Sequence, residues 1–279
     1  FLFRPLHRAI FRRADHVQSI SRFLSRWSTQ MGYGGKPALI PNGVDLERFL
    51  KPISSEARNE LRRQFGFRPE DVVVISVSRL SHKNGLDDLI RALPVLPSNV
   101  KVLLIGDGED RERLRWLTKE LGIEMRVVFA GGRANDKVPE LLRIADIFVR
   151  ASRSEGQGIS FLEAMVSGVP TIGTPVGGIP AFLTEETGWL CQPGVPESIT
   201  DAIRRILAPP KAVLDQKLAN TVEFVRKNYD WKTITEEMRA LFDRVANARR
   251  ILIVTGIYPP DIGGAAAYGV GAWRHPPSL

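Results

Sequence analysis

Two glutamates, Glu155 and Glu163, lie eight positions apart on the run EGQGISFLEAMVSGVP. Gly156 and Gly158 permit tight backbone approach, and a helix starting near Gly158 would point the amides of Ile159 and Ser160 into a crevice. Ile159, Leu162 and Val166 then share one buried face, leaving Glu163 on the flank at the rim. A carboxylate there can accept two hydrogen bonds from a vicinal diol such as a ribose, or it is an ordinary solvated helix residue. Glu155, ahead of the helix, sits either near a reacting centre or as a cap for the helix that follows. A second cluster reads Arg79, Leu80, Ser81, His82, Lys83, Asn84, Gly85, with Leu86 opening a helix. Arg79 and Lys83 beside a helix N-terminus form a diphosphate clamp, because charge and orphan amides converge on the anion, or else a pair of solvated cations.

The elements that must position these groups alternate regularly. Apolar, β-branched runs predict strands at 72–78, 101–106, 126–131, 145–151, 170–175 and 188–192, and amphipathic segments such as LDDLIRALPVL, EDRERLRWLTKELG and KVPELLRI separate them. Continuous apolar strands between helices imply a parallel sheet covered on both faces, a doubly wound α/β fold whose ligands bind beyond the carboxyl ends of the strands. Before it come a basic helix, a short strand HVQSIS, a helix RFLSRWSTQMG and the connector ALIPNGVDLERF; after Pro209 and Pro210 the pattern is helical only. The last segment, RRILIVTGIYPPDIGG, reads as an apolar strand running into a loop with Gly263 and Gly264, like the start of an α/β domain placed at the end.

Composition bounds the function. Of 279 residues, 43% are hydrophobic and 25% charged, which excludes a disordered tail or a fibrous repeat. The single cysteine, Cys191, excludes an intramolecular disulfide and fits a reducing, cytoplasmic compartment. The net charge is +8, and residues 1–36 hold seven Lys or Arg against Asp15 alone, so +6 of it sits there. Interleaved with Leu2, Leu6 and Ile10, these cations either lie peripherally on the inner, anionic face of a membrane or belong to a helix docked on its own protein with its arginines in water. No apolar run approaches the ~20 residues needed to cross a bilayer, and no signal-peptide layout is present. Gly106 and Gly108 follow a strand, but Arg111 replaces the third glycine of a dinucleotide fingerprint, and Gly34, Gly35 and Lys36 run into Pro37 rather than forming a P-loop. No nucleic-acid-binding module accompanies the basic charge.

The order SRLSHKNG, VVFAGG and EGQGISFLEAMVSGVPTIGTPVGG resembles the donor-binding domain of the retaining family-four GT-B glycosyltransferases (glycosyl transferases group 1), whose motif is a Glu, seven residues and a Glu. The connector IPNGVDLERF and a late Asp230-Trp231 before a terminal helix are also similar, so the resemblance covers about residues 14–245. It implies a Rossmann-like GT-B C-terminal domain plus flanking helices and fragments of a second Rossmann-like domain. It implies that Arg79 and Lys83 hold the donor diphosphate and stabilise the departing nucleoside diphosphate. Glu163 would bind the ribose hydroxyls, Glu155 would contact the transferred sugar near its anomeric carbon, Gly158 and Ile159 would line the same donor site, and Gly132 and Arg133 would flank the base. The implied reaction moves a sugar from a nucleotide sugar to an acceptor with retention at the anomeric carbon, by front-face attack, with neither metal nor cofactor. The acceptor, whether lipid, polysaccharide or small molecule, is not specified.

Three departures accompany the resemblance. The family's lysine directly precedes the glycine, whereas here Asn84 does and Lys83 is one position earlier; Gln157 stands where an aromatic is common; and most of an acceptor domain, with its catalytic histidine, has no match. His7, His16, His82 and His275 are read as surface or packing residues. The expected organisation is 1–40, a remnant of an acceptor domain; 41–210, the nucleotide-sugar donor domain; 211–248, C-terminal helices; and 249–279, a displaced first strand and glycine-rich loop, with Ala272 to Leu279 not expected to fold. Because the chain opens on Phe1 and lacks the middle of an acceptor domain, a truncated or composite reading frame is expected, and the alternative to a transferase is a non-catalytic nucleotide-sugar-binding remnant. A GT-B sugar-nucleotide epimerase is closer in class than an oxidoreductase, but lacks this arrangement of Glu155 and Glu163.

Overall fold

The computed structural model describes residues 4–245 and 251–253. At the N-terminal end come α1 (Arg4–Arg13), β1 (His16–Ser19), α2 (Arg22–Gln30) and β2 (Ala38–Leu39). The basic helix α1 docks through Phe11, which packs with Val17, Met31 and Tyr33 and meets the Trp27 ring edge-on at 5.3 Å. Its arginines, with Leu6 and Ile10, are exposed. Of the two expectations for this segment, the docked helix describes its inner face, and the exposed face is basic with two apolar side chains.

Next come α3 (Leu46–Phe49) and α4 (Ser55–Gln64), then β3 (Val72–Val77), α5 (Leu86–Ala92), β4 (Val100–Ile105), α6 (Arg111–Glu120), β5 (Val127–Gly131), α7 (Val138–Arg143), β6 (Ile147–Arg150), α8 (Ile159–Val166), β7 (Thr171–Gly173), β8 (Trp189–Leu190) and α9 (Pro196–Leu207). All six predicted strands form, as one parallel sheet in the order β5-β4-β3-β6-β7-β8. Alternate side chains of each strand go to opposite faces. Val74, Leu104 and Ile147 pack under α5, α6 and α9 through Leu89, Leu114 and Ile203, while Val73, Ile75 and Phe148 pack with Leu142 of α7, Phe161 of α8 and Phe49 of α3. Burial on both faces is why these strands read as unbroken apolar runs rather than alternating ones.

Chain order in this sheet runs outward from β3 through β4 to β5 on one side, then from β6 through β7 to β8 on the other. β3 and β6 are therefore neighbours whose following loops diverge to opposite faces, which opens a crevice at their carboxyl ends. The loop after β3 and the segment after β6 carry most of the candidate residues, and Gly132 and Arg133 follow β5.

Helix α4 lies outside the sequence-based expectation. Its apolar stripe is thin because its inward residue is Arg62, only 3% exposed, which donates to the Ile144 carbonyl at 2.9 Å and to Asp146 Oδ2 at 2.6 Å. Arg58 holds Asp146 Oδ1 at 2.8 Å, and the Val73 amide donates to Oδ2 at 2.7 Å, so one carboxylate ties the helix to the start of β3. Helix α9 closes the alternation of strands and helices after β8.

Beyond the sheet, α10 (Lys211–Tyr229) and α11 (Trp231–Val245) follow. The turn between them grips the connector: the Val44 amide donates to the Tyr229 carbonyl at 2.8 Å and the Trp231 amide to the Val44 carbonyl at 3.0 Å. A separate sheet has the order β2-β1-β9, where β9 (Ile251–Ile253) runs parallel to β1 with Ile251 opposite His16. The rest of the expected tail, including Gly263, Gly264, His275 and Ala272 to Leu279, lies outside the described residues. Among the described residues no helix is long and apolar enough to cross a membrane.

The segments after β3 and β6 touch at Gly85. Its φ is +64°, and a Cβ placed there would stand 1.9 Å from the Ala151 carbonyl oxygen. Gly85→Ala should therefore cost at least about 2 kcal/mol, combining left-handed strain with a backbone clash, and lower the urea midpoint accordingly.

Candidate functional site

The last residue of β6 is Arg150, read from sequence as part of an apolar strand. Its side chain is 11% exposed and its guanidinium lies 5.6 Å from the centre of the Phe161 ring. From there it donates to Asn84 Oδ1 at 2.8 Å, to Ser160 Oγ at 3.1 Å and to the Glu155 carboxylate. One cation thus joins the loop after β3, the glutamate loop and the first turn of α8. Nothing in the sequence pattern singled it out except a charged residue ending an otherwise apolar strand.

Glu155 is not a cap. Its Oε1 accepts from the Gly156 amide at 3.0 Å and its Oε2 from Arg150, while α8 is entered through Gly158, whose φ of +88° supplies the left-handed turn with no side-chain cap. Ile159 and Ser160 open that helix, as expected. Gln157 turns away from the crevice toward the connector. Its Oε1 accepts from the Asn42 amide at 2.8 Å and its Nε2 donates to the Asn42 carbonyl at 3.0 Å, which accounts for an amide where an aromatic is usual.

In the loop after β3, the side chains separate by direction. Residues 82–84 form a short 3-10 turn, in which neighbouring side chains point about 120° apart. Asn84 faces inward, 1% exposed, donating to the Arg79 carbonyl at 2.6 Å and to Ser81 Oγ at 3.2 Å. Lys83 is exposed, and its ammonium has no hydrogen-bond partner among the described residues. Arg79 is also exposed and donates through Nε to Glu109 at 3.2 Å, a contact from the loop after β4. Arg153, unremarked in the sequence, staples the two loops: it donates to the His82 carbonyl at 2.7 Å, to Asp87 at 2.8 Å and to Asp88 at 2.7 Å. Burial pushes both carboxyls up; at Asp87 the Arg153 hydrogen bond and charge outweigh it and the pKa falls, whereas at Asp88 burial prevails and it rises.

Glu163 differs most from expectation. All of α8 is buried, and Glu163, expected at the rim, is 4% exposed with Oε1 lacking any hydrogen-bond partner among the described residues. Burial pushes its carboxyl from 4.5 up to about 7, against the opposing charges of Arg48 and Arg150. Arg48 comes from the connector and is a further residue that sequence reasoning missed. A buried carboxylate oxygen without a donor is costly, and it is the kind of group that a ligand hydroxyl satisfies. Gly132 and Arg133 sit after β5, two strands from β3, both exposed, with Arg133 placed 5.9 Å from the centre of the Phe65 ring. They share the carboxyl edge of the sheet with the cluster but do not touch it.

The family model for glycosyl transferases group 1 matches residues 57–228. The GDP-mannose-dependent alpha-(1-6)-phosphatidylinositol monomannoside mannosyltransferase of Mycolicibacterium smegmatis is 32% identical over 262 residues, covering 88% of this chain and 68% of the relative. The N-acetyl-alpha-D-glucosaminyl L-malate synthase of Bacillus anthracis is 35% identical over 199 residues, covering 70% and 51%. Among solved structures, Anabaena Alr3699/HepE in complex with UDP and glucose superposes with a TM-score of 0.79 at 26% identity, covering 86% of this chain and 67% of that one. The chain thus spans between about half and two thirds of the length of these proteins.

The raised pKa of Glu163 has a definite sign. Between about 4.5 and 7 the folded protein holds a proton that the unfolded chain has released, so this group's contribution to stability falls as pH rises through that window. Glu163→Gln removes the titration. Thermal melts should show the variant above the wild type by about 3 °C or more near pH 8, with the gap closing as pH falls below 4.5, where Glu163 is protonated in both states.

Proposed function

The chain belongs to the glycosyl transferases group 1 family, and from that premise we propose that its crevice binds a nucleoside diphosphate sugar and delivers the sugar to an acceptor. The observation that carries this reading is Glu163: a buried carboxylate with a vacant acceptor oxygen, on the helix that opens at the switch point of a parallel sheet. Water would satisfy a carboxylate at a rim. A carboxylate held inside without a donor is suited to the paired hydroxyls of a ribose, which supply the missing donors and draw its pKa back down.

In this reading Arg79 and the backbone of the loop after β3 face the diphosphate, and Glu155, fixed by Arg150, faces the sugar. During transfer the bond from the anomeric carbon to the diphosphate oxygen breaks, the acceptor oxygen bonds to that carbon, and the acceptor proton passes to the departing phosphate oxygen. Attack from the side that the leaving group vacates gives retention. Fixed cations lower the barrier because they meet charge that develops on the leaving diphosphate without having to reorganise. The chain's own charged side chains supply this in the proposal, with no step assigned to a metal. In the same reading Gly132 and Arg133, which follow β5, flank the base. UDP in the HepE structure and GDP-mannose in the name of the mycobacterial relative make uridine and guanosine diphosphates the donors to try first.

Calorimetric titration with UDP, GDP, UDP-glucose and GDP-mannose checks the proposal. One nucleotide family should bind, and Glu163→Ala should weaken it at least about tenfold, the loss of a charged hydrogen bond. Binding should also release protons near pH 7, where Glu163 is half ionised before the ribose arrives, and that release should vanish in Glu163→Gln. If the wild type ignores all four compounds, or if Glu163→Ala binds as well as the wild type, the ribose assignment is wrong.

A further inference from the structure

We propose that Arg150, not Lys83, is the second diphosphate-binding cation of this site, and that Asn84 is the residue that positions it. The inference rests on the donor-site reading above and deepens it. Three observations converge. The first is direction: the lysine of the family pattern directly precedes the glycine, which in this chain is position 84, and Asn84 is the side chain that turns inward, while Lys83 is exposed. A lysine at position 84 would carry its ammonium past the point where the Asn84 amide ends. The group found there is the Arg150 guanidinium, 2.8 Å from Asn84 Oδ1.

The second is preorganisation. Asn84 is itself fixed by the Arg79 carbonyl and Ser81, and it holds the guanidinium from one side while Ser160, Glu155 and the Phe161 face hold it from the others. An arginine so confined loses little freedom when an anion arrives. The third is spare capacity. A guanidinium has five N–H donors, and three are used by Asn84, Ser160 and Glu155. One of the remaining two is on Nε, which is buried without a partner among the described residues, and the other is on Nη1. An arginine places its charge beside both motif glutamates: it is paired with Glu155 and acts on Glu163 through its field. Its planar fork matches phosphate oxygens better than a point charge does. In this arrangement the Arg150 guanidinium, at the end of β6, brings a cation to the inward side of the loop after β3, where Asn84 itself carries no charge.

The test is diphosphate preference, measured by calorimetry on the full chain with UDP against UMP and GDP against GMP. The wild type should prefer the diphosphate of its own base. Arg150→Met should cut diphosphate affinity at least about tenfold and flatten that preference, while Arg150→Lys should retain part of it. Because Arg150→Met leaves Glu155 without its cation and can disturb folding, the decisive variant is the double change Asn84→Lys with Arg150→Met, which returns an ammonium to the crevice and should restore the preference. The proposal is overturned if Arg150→Met keeps the wild-type preference, if the folded double variant fails to regain it, or if Lys83→Ala flattens it instead. A wild type that binds none of the four nucleotides overturns the donor-site reading itself, and this inference with it.

Discussion

Everything in the site depends on the parallel pairing of β3 with β6, Val74 beside Ile147 and Ile75 beside Phe148. The two strands are far apart in sequence, and each is followed by a loop that leaves the same edge of the sheet. The next helices, α5 and α8, lie on opposite faces, so the loops must part above the paired strands. That parting makes the crevice, and what keeps it narrow is contact of main chain on main chain. Gly85 lies against the Ala151 carbonyl, and the Arg153 amide donates to the Lys83 carbonyl at 2.7 Å. Apolar packing on both faces fixes the pairing, and polar contacts at the edge turn it into a site.

The strand pattern was readable because strands buried on both faces have no reason to alternate, and helices such as α6 between them carry one apolar stripe. The motif glutamates were readable from spacing. What periodicity cannot convey is where a polar side chain goes when its partners come from distant segments. Arg150 occupies a strand end that looks apolar, and its partners at 84, 155 and 160 meet it only after the sheet has formed. Arg62 thinned the stripe of α4 for the same reason: its partner Asp146 lies across a helix–strand contact. Glu163 was expected at a rim because three apolar neighbours defined a single buried face. In the fold α10 and α3 cover the remaining sides of α8, so the whole helix is interior.

Charge is concentrated where it is expensive. Arg150, Glu155 and Glu163 are all largely removed from water, and a buried ion pair rarely stabilises a fold better than apolar residues of the same volume. The placement makes sense as fixed polarity: groups already oriented need not reorient when a charged ligand enters. Asp87 and Asp88, held by Arg153, form a second cluster that serves the backbone, since it locks the start of α5 to the glutamate loop.

The Gln157 amide, which grips Asn42 through both its oxygen and its nitrogen, makes the connector part of the glutamate loop. Two residues farther along, Val44 is clasped between Tyr229 and Trp231. The segment leading from the N-terminal elements into the α/β unit is thus pinned at both ends of a very short span, one pin two residues from Glu155 and the other at the junction of α10 and α11. It behaves as a lever with a short arm. A turn of the N-terminal elements about this span has to break the Gln157 clasp or transmit torque to the loop that holds Glu155, so the posture of one part of the chain is coupled to the position of that carboxylate.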